Sequence, residues 1–265
     1  MKTLVVAEPG STHEGDLATM LRLVDLAAQV GCDVFKNQWT SDPEAICARR
    51  RAPEYLWSYR KLAYPIEWHA DIREACHRRG LEYGCSTYIP ADVARVAPFC
   101  DWLKGASFEA GESAMRAAFA PYRDRLILST GMMTAREVVD VRHCARYVLH
   151  CVSSYVTPAD QANLGAILMM RELLIGTNAL PGWSDHTQST LTGALAVAAG
   201  ARAVEFHLRL DDCDPQNADH EVSRDPERAA AYVASIREAE RILGDGEKRV
   251  MPSELAFLRY RTTTA

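Results

Sequence analysis

The sequence predicts a single (β/α)8 TIM barrel, and three observations lead to this fold class. Short apolar runs alternate with helical patterns, and eight such strand–helix pairs follow one another along the 265 residues. No linker or shift in composition divides the chain, and about 250 residues is the usual length of such a barrel. An open, doubly wound sheet is the alternative, but it accounts less well for the number of strands. We therefore expect one domain over residues 1–265.

Each predicted strand is a short apolar run that ends at polar or turn-forming residues. The first run, residues 4–7, ends at Glu8, Pro9 and Gly10, as a buried strand that opens into a loop does. The other strands are predicted at residues 32–36, 81–85, 101–104, 126–128, 147–151, 182–184 and 203–206. The run at residues 182–184, the seventh strand of the chain, has the weakest pattern, and the sequence does not fix its limits.

Between the strands, apolar residues recur at helical spacing. In residues 16–30, Leu17, Met20 and Val24 share one face, and Gly31 ends the pattern. Further helices are predicted at residues 66–79, 90–96, 112–119, 163–174, 190–199 and 226–243.

Two local motifs complete the pattern. Thr134 and Glu137 have the spacing of a capping box, which places the start of the fifth helix. After the second strand we expect a long irregular insert that contains Arg49, Arg50 and Arg51. We interpret this arginine run as solvated loop charges, with an anion site as the alternative.

Composition restricts the classes of function. The chain is 48% hydrophobic and 25% charged, which is enough to bury a core, and its net charge of −5 argues against nucleic acid or an anionic membrane as partner. A small anionic substrate is still compatible with a local basic pocket. The eight cysteines include no C-x-x-C pair and the chain has no long apolar span, so we expect a cytoplasmic protein in a reducing compartment.

Polar residues stand at the ends of the predicted strands, where the active site of a (β/α)8 barrel lies. They are His13, Glu14, Lys36, Gln38, Ser86, Thr87, Lys104, Ser107, Glu109, Ser129, Thr130, Ser153, Tyr155, Ser184, His186 and His207. Two lysines with several hydroxyls favour a bound phosphate or carboxylate, and two histidines from adjacent strands favour a divalent metal completed by substrate and water. The alternatives stay open, because such lysines are often solvated charges and such histidines are often structural.

Nine motifs in this order give the chain a resemblance to a known family. They are AEPGSTHEGD at 7–16, FKNQ at 35–38, YPIEWH at 64–69, KGASFE at 104–109, LSTGM at 128–132, LHCVSSY at 149–155, GWSDHT at 182–187, EFH at 205–207 and ADH at 218–220. The chain resembles the sialic acid synthase family, which condenses phosphoenolpyruvate with an aldehyde to make nine-carbon sugar acids. The resemblance extends from residue 4 to about residue 244.

The resemblance implies a role for each group of residues. His186 and His207 would hold a divalent metal, Mn²⁺ or Mg²⁺, that polarises the carbonyl of an open-chain sugar-like aldehyde. Phosphate would leave by C–O cleavage, giving a 2-keto acid. Glu14 and Asp219 would face the acceptor hydroxyls or assist proton transfer. His220 matches an Asp-His turn and stays outside the metal site. Phosphoenolpyruvate would be held by Lys36, Gln38, Thr87, Lys104, Ser107, Ser129, Ser153, Tyr155 and Ser184.

The departures from the family pattern concern the acceptor. The family usually has asparagine at Thr12, an aromatic residue or histidine at Asn37, lysine at Phe206, and glycine-proline where residues 216–218 read Gln-Asn-Ala. We also expect the family's C-terminal antifreeze-like domain to be missing, which leaves the acceptor and the family's homodimer open.

Two rival functions are considered. The first is a related keto-acid synthase or a pyruvate aldolase acting on a non-sugar aldehyde, against which the retained Lys104 and Ser107 favour a phosphorylated donor. The second is a catalytically silent barrel that acts as a binding or scaffold subunit. The retained histidines, His186 and His207, argue against that reading.

Overall fold

Eight parallel strands close into a barrel in the order in which they occur in the chain. The computed structural model describes residues 2–262. The strands are β1 (Leu4–Glu8), β2 (Val34–Gln38), β3 (Glu82–Thr87), β4 (Trp102–Gly105), β5 (Leu126–Ser129), β6 (Tyr147–Cys151), β7 (Leu180–Asp185) and β8 (Ala203–His207). The last strand pairs with the first, from Leu4 opposite Ala203 to Glu8 opposite His207, so the open doubly wound alternative is wrong. The seventh strand is longer than the sequence pattern indicated.

Helices connect the strands on the outside of the barrel. They are α1 (Leu17–Gln29), α2 (Pro43–Arg50), α3 (Leu56–Tyr59), α4 (Trp68–Arg78), α5 (Pro90–Val96), α6 (Ser113–Phe119), α7 (Ala135–Val141), α8 (Gly165–Leu173), α9 (Thr192–Ala198) and α10 (Pro226–Leu243). The capping box at Thr134 and Glu137 is present at the start of α7. Within residues 2–262 no helix is long and apolar enough to cross a membrane.

The insert after β2 is helical, so the expectation of an irregular segment is wrong. Asp42 caps α2 by accepting a hydrogen bond from the Ala45 amide at 2.9 Å, and Pro43 occupies the first turn. Helix α3 follows between two short 3₁₀ turns. Asp-Pro was therefore a helix-start signal within a stretch that lacks a long apolar stripe.

The barrel interior changes from apolar to charged along the strands. Val6, Val34, Ile127, Leu149 and Ala203 form a buried apolar cluster inside the barrel, which we call the apolar floor. Side chains two residues apart in a strand share a face, so the next inward positions toward the carboxyl ends carry polar groups. These positions are Glu8, Lys36, Ser129, Cys151 and Glu205. The floor therefore supports a polar layer at the mouth of the barrel.

Glycine at position 182 is required by the closeness of the neighbouring strand. A Cβ atom at Gly182 would lie 2.6 Å from the carbonyl oxygen of Ala203 and would also overlap Leu149 of the apolar floor. The barrel can close at β7 and β8 only because this position has no side chain.

Candidate active site

Two buried carboxylates and two buried lysines form a charged cluster above the apolar floor. Lys36 Nζ lies 2.7 Å from Glu8 Oε1 and 3.7 Å from Glu205 Oε2, and Lys104 Nζ lies 3.2 Å from Glu205 Oε1. All four side chains are at most 6% exposed, so water screens these contacts little. The two glutamates therefore compensate the charges of the two lysines inside the barrel.

The electrostatics of the cluster keep its charges in place. Burial alone would raise the pKa of Glu8, but Lys36, His207 and Lys104 outweigh burial and hold that pKa well below its ordinary value. Burial would likewise lower the pKa of Lys36, whereas Glu205 and Glu8 raise it above the usual lysine value. Glu8 is thus ionised and Lys36 protonated across the neutral pH range.

Serine hydroxyls surround this cluster at the carboxyl ends of the strands. Ser153 donates to Ser107 at 2.9 Å, and Ser184 donates to Glu205 at 3.2 Å. The Ser129 hydroxyl is buried and has no hydrogen-bond partner among the described residues. A buried hydroxyl without a partner is costly, which indicates a place that a ligand oxygen completes.

The cluster opens into a cavity of about 620 Å³. One wall consists of strand-end residues, and the opposite wall comes from the helical insert after β2. The predicted site residues that line the cavity are Gln38, Lys104, Ser107, Ser129, Ser153, Tyr155, Ser184, His186 and Asp219. This volume lies within the range typical of sites for small organic molecules.

Four predicted site residues do not line the cavity. Lys36 is buried behind Glu8 and donates to Ser86 at 2.8 Å, and Thr87 is buried with its hydroxyl unpaired within residues 2–262. His207 is 2% exposed, but its ring lies against that of His186. Glu14 is turned toward Lys61 and Asn217 instead of toward the cavity.

His186 and His207, the two predicted metal ligands, lie beside each other at the carboxyl ends of β7 and β8. Nδ1 of His186 lies 2.7 Å from the Val152 carbonyl oxygen, so this nitrogen carries the proton and Nε2 presents its lone pair. The ring centroids of His186 and His207 are 5.4 Å apart, and His207 Nε2 lies 3.8 Å from Glu8 Oε2. No cluster of three or more His, Cys, Asp or Glu side chains in the described part of the chain forms a complete metal site. The pair therefore fits a sparse site that substrate and water complete.

Asp219 follows β8 and lines the cavity, where Ser11 of the loop after β1 holds its carboxylate. Its Oδ2 accepts hydrogen bonds from the Ser11 amide at 2.7 Å and from the Ser11 hydroxyl at 2.6 Å. Gly10 has φ +56°, and a Cβ there would lie 2.5 Å from Asp219 Oδ2. Asn217 Oδ1 accepts a hydrogen bond from the Asp219 amide at 2.9 Å, and the Asn217 side-chain amide donates to Glu14, so Glu14 supports this arrangement from behind.

Arg50 shows that the arginine run was only partly interpreted correctly. Its guanidinium donates to Glu109 Oε1 at 2.8 and 2.6 Å and to the Tyr59 hydroxyl at 3.0 Å. Its Cζ lies 4.8 Å from the Tyr88 ring centroid and 4.7 Å from that of Phe108. Arg50 is thus a fixed part of the cavity wall and not a solvated loop charge.

The sequence analysis missed Glu8, Glu205 and Arg50 as site residues. Glu8 and Glu205 stand within the quoted motifs, and their two-residue spacing from Val6 and Ala203 was the signal that they face inward. Arg50 gave no such signal, because its place depends on the path of the insert.

These features define a class of protein: a (β/α)8-barrel enzyme with a charged, hydroxyl-rich site at the carboxyl ends of its strands. The model of the NeuB family matches residues 23–248. Pseudaminic acid synthase of Campylobacter jejuni is 30% identical over 93% of this chain and 76% of its own length. N,N'-diacetyllegionaminic acid synthase of Legionella pneumophila is 31% identical over 96% of this chain and 77% of its own length.

The fold agrees with these matches. The sialic acid synthetase of Leptospira borgpetersenii, solved with citrate, superimposes with a TM-score of 0.88 and 25% identity over 98% of this chain and 92% of that one. The chain belongs to the NeuB family. It is a condensing transferase of the sialic acid synthase type, as the motif resemblance indicated.

Proposed function

We propose that this protein condenses phosphoenolpyruvate with an open-chain sugar or sugar-like aldehyde, giving a 2-keto acid and phosphate. The observation that carries the proposal is the buried Lys36–Glu8 and Lys104–Glu205 cluster beneath a ring of serine hydroxyls. Similarity to pseudaminic and legionaminic acid synthases supports a sugar-derived acceptor. We also expect a cytoplasmic enzyme, with a homodimer as an open possibility.

The donor would bind at the strand ends, closest to the charged cluster. Lys104 and the hydroxyls of Ser107, Ser129 and Ser153 supply a cation and several donors for phosphate and carboxylate oxygens. Ser184, Gln38 and Tyr155 complete the same wall, and Lys36 and Thr87 would act from just beneath it. A phosphorylated donor uses this full set of donors, whereas plain pyruvate would leave part of it unpaired.

The reaction balances with the groups present. The C3 carbon of phosphoenolpyruvate forms a bond with the aldehyde carbon, whose oxygen takes up a proton. Water adds at C2 and loses one proton. The C2–O bond to phosphate then breaks as the C2 hydroxyl becomes the carbonyl, and the proton of that hydroxyl leaves with the phosphate. Asp219, which lines the cavity, can hydrogen-bond an acceptor hydroxyl or assist proton transfer. Glu14 would hold Asp219 in place through Asn217.

His186 and His207 would hold the divalent ion, Mn²⁺ or Mg²⁺. Bound there, the ion would supply Lewis-acid polarisation of the acceptor carbonyl. The Val152 carbonyl fixes the tautomer of His186 that this role needs. Tyr155 stacks on His186 with ring centroids 4.2 Å apart and restricts the orientation of the ring.

The acceptor would lie against the insert wall. Arg50 and Tyr59 of the insert, together with Tyr88 and Phe108 of the loops after β3 and β4, form a largely aromatic surface on which the C–H faces of a sugar can pack. Glu109 compensates the charge of Arg50, so this surface supplies shape more than net charge.

Phosphate release tests the proposal. It should require phosphoenolpyruvate, a divalent ion and an aldehyde together, with N-acetylated and plain aldoses screened as acceptors. In ¹⁸O-labelled water the label should enter the keto acid, whereas label in phosphate would indicate P–O cleavage. Phosphate release in the absence of the aldehyde would contradict the proposal. Carbon–carbon bond formation with pyruvate in place of phosphoenolpyruvate would contradict it as well. Ser129→Ala should weaken the use of phosphoenolpyruvate, with Ser58→Ala on the insert wall as the matched control.

A further inference from the structure

Arg224 is a buried arginine between β8 and α10 that lies outside the cavity. Its side chain is 1% exposed and donates from Nη2 to Asp185 Oδ2 at 3.0 Å. Its Cζ lies 3.9 Å from the ring centroid of Tyr232 and 5.6 Å from that of Phe206. An ion pair this deep in the core requires an explanation, because burial removes the hydration of both charges.

Asp185 is the centre of the hydrogen-bond network to which Arg224 belongs. Its Oδ2 also accepts from the Tyr232 hydroxyl and from the Thr192 hydroxyl, each at 2.5 Å. Its Oδ1 accepts from the Thr187 amide at 2.8 Å. Asp185 ends β7, so these bonds fix the turn that begins with His186.

The main chain of Arg224 holds the other histidine. The Arg224 amide donates to the carbonyl oxygen of His207 at 2.8 Å, and the Arg224 carbonyl accepts from the Arg209 amide at 3.0 Å. One residue is therefore linked to both histidines, through its main chain to His207 and through Asp185 to the turn of His186.

The Arg224–Asp185 ion pair contributes little net stability, which favours a role in fixing geometry. Arg224 Nε and Nη1 are buried and have no hydrogen-bond partner in residues 2–262. A buried ion pair with incomplete hydrogen bonding adds little net stability relative to an apolar pair. Asp185 is also the strand partner of Phe206, at which the family resemblance predicts lysine. In this chain position 206 is apolar, and the cation beside Asp185 is Arg224.

We propose that Arg224 is a positioning residue that sets the relative placement of His186 and His207, and through it the affinity for the divalent ion. The inference rests on the proposed function, in which these two histidines hold the ion. Groups that orient metal ligands typically change metal affinity by about 10- to 100-fold when they are removed.

Titration of the full chain with Mn²⁺ alone, followed by calorimetry, tests the proposal. Arg224→Met should weaken Mn²⁺ binding by about 10- to 100-fold, while the affinity for phosphoenolpyruvate measured without metal changes less than about twofold. The double variant Phe206→Lys/Arg224→Met returns a cation to the side of Asp185 and should recover most of the Mn²⁺ affinity. Arg209→Met is the matched control, because Arg209 is a neighbouring arginine that pairs with Asp225 and not with Asp185.

The possible outcomes separate the two proposals. If Arg224→Met lowers the melting temperature but binds Mn²⁺ as the wild type does, the positioning role is overturned while the metal site stands. If the His186→Ala variant binds Mn²⁺ as well as the wild type does, the proposed metal site fails and the positioning role fails with it. Should Arg224→Met not fold, Arg224→Lys provides the second test. It keeps the charge without the planar fork and should show an intermediate loss of affinity, whereas unchanged affinity would overturn the proposal.

Discussion

Replacing Lys104 by methionine tests the charged cluster, because methionine keeps an unbranched side chain and removes only the cation. In the wild type, Lys104 Nζ lies 3.2 Å from Glu205, while Lys36 lies 3.7 Å from Glu205 and is already engaged by Glu8 at 2.7 Å. Glu205 would therefore keep only a distant, shared cation. Removing one partner of a buried pair costs about 3–5 kcal/mol, and the remaining attraction of Lys36 places this variant near the lower value.

The same variant should lose donor binding for a separate reason. A hydrogen bond to a charged group contributes about 1.5–3 kcal/mol, which corresponds to a loss of about 10- to 150-fold in kcat/KM for phosphoenolpyruvate. The double variant Lys104→Met/Glu205→Gln removes both charges and should recover most of the stability but none of the donor binding. Urea denaturation measures the first quantity and steady-state phosphate release the second.

Two results would refute this reasoning. If Lys104→Met keeps the wild-type kcat/KM for phosphoenolpyruvate, Lys104 does not contact the donor. If the double variant is no more stable than the single one, the unpaired Glu205 is not the source of the instability, and the two sites couple less than their separation suggests.

Three further predictions concern the cavity wall, the barrel and acid stability. Arg50→Lys keeps the charge but loses the planar fork on Glu109, so KM for the acceptor should rise by about 10-fold with KM for the donor unchanged, and equal changes in both would contradict the role of the wall. Gly182→Ala should lower the unfolding free energy by about 3 kcal/mol or more in urea denaturation, since its Cβ would meet backbone 2.6 Å away, and a neutral effect would refute this closeness. Burial and Lys61 lower the pKa of His13 from 6.5 to about 3, so the unfolded chain binds more protons and stability should fall by up to about 1.4 kcal/mol per pH unit below pH 6.5. His13→Gln should flatten that slope, and an unchanged slope would show that His13 is not its source.

The fold could be predicted from the sequence because each strand carries its own local signal. Apolar runs, capping residues and glycine stops are read within about ten residues, and the strand order of a barrel follows from their alternation. The ring of serines was predictable for the same reason, since a barrel places every strand end at one mouth.

The parts that escaped prediction depend on contacts between distant segments. The position of Arg50 requires Glu109, which lies 59 residues away and on a different strand-end loop. Glu8 and Glu205 looked like ordinary strand-end carboxylates until the closure of β1 against β8 placed both beside Lys36. The closure of the barrel was predicted, but the side chains that meet across it are not encoded in any local pattern.

The apolar floor has a kinetic consequence. Because Val6, Val34, Ile127, Leu149 and Ala203 fill the interior below the charged layer, reactants can approach that layer only from the mouth. The proposed donor wall adjoins this layer, whereas the proposed acceptor wall belongs to the insert above it. A bound acceptor would therefore obstruct the path of the donor. We expect an ordered reaction in which phosphoenolpyruvate binds first and the sugar acceptor binds second.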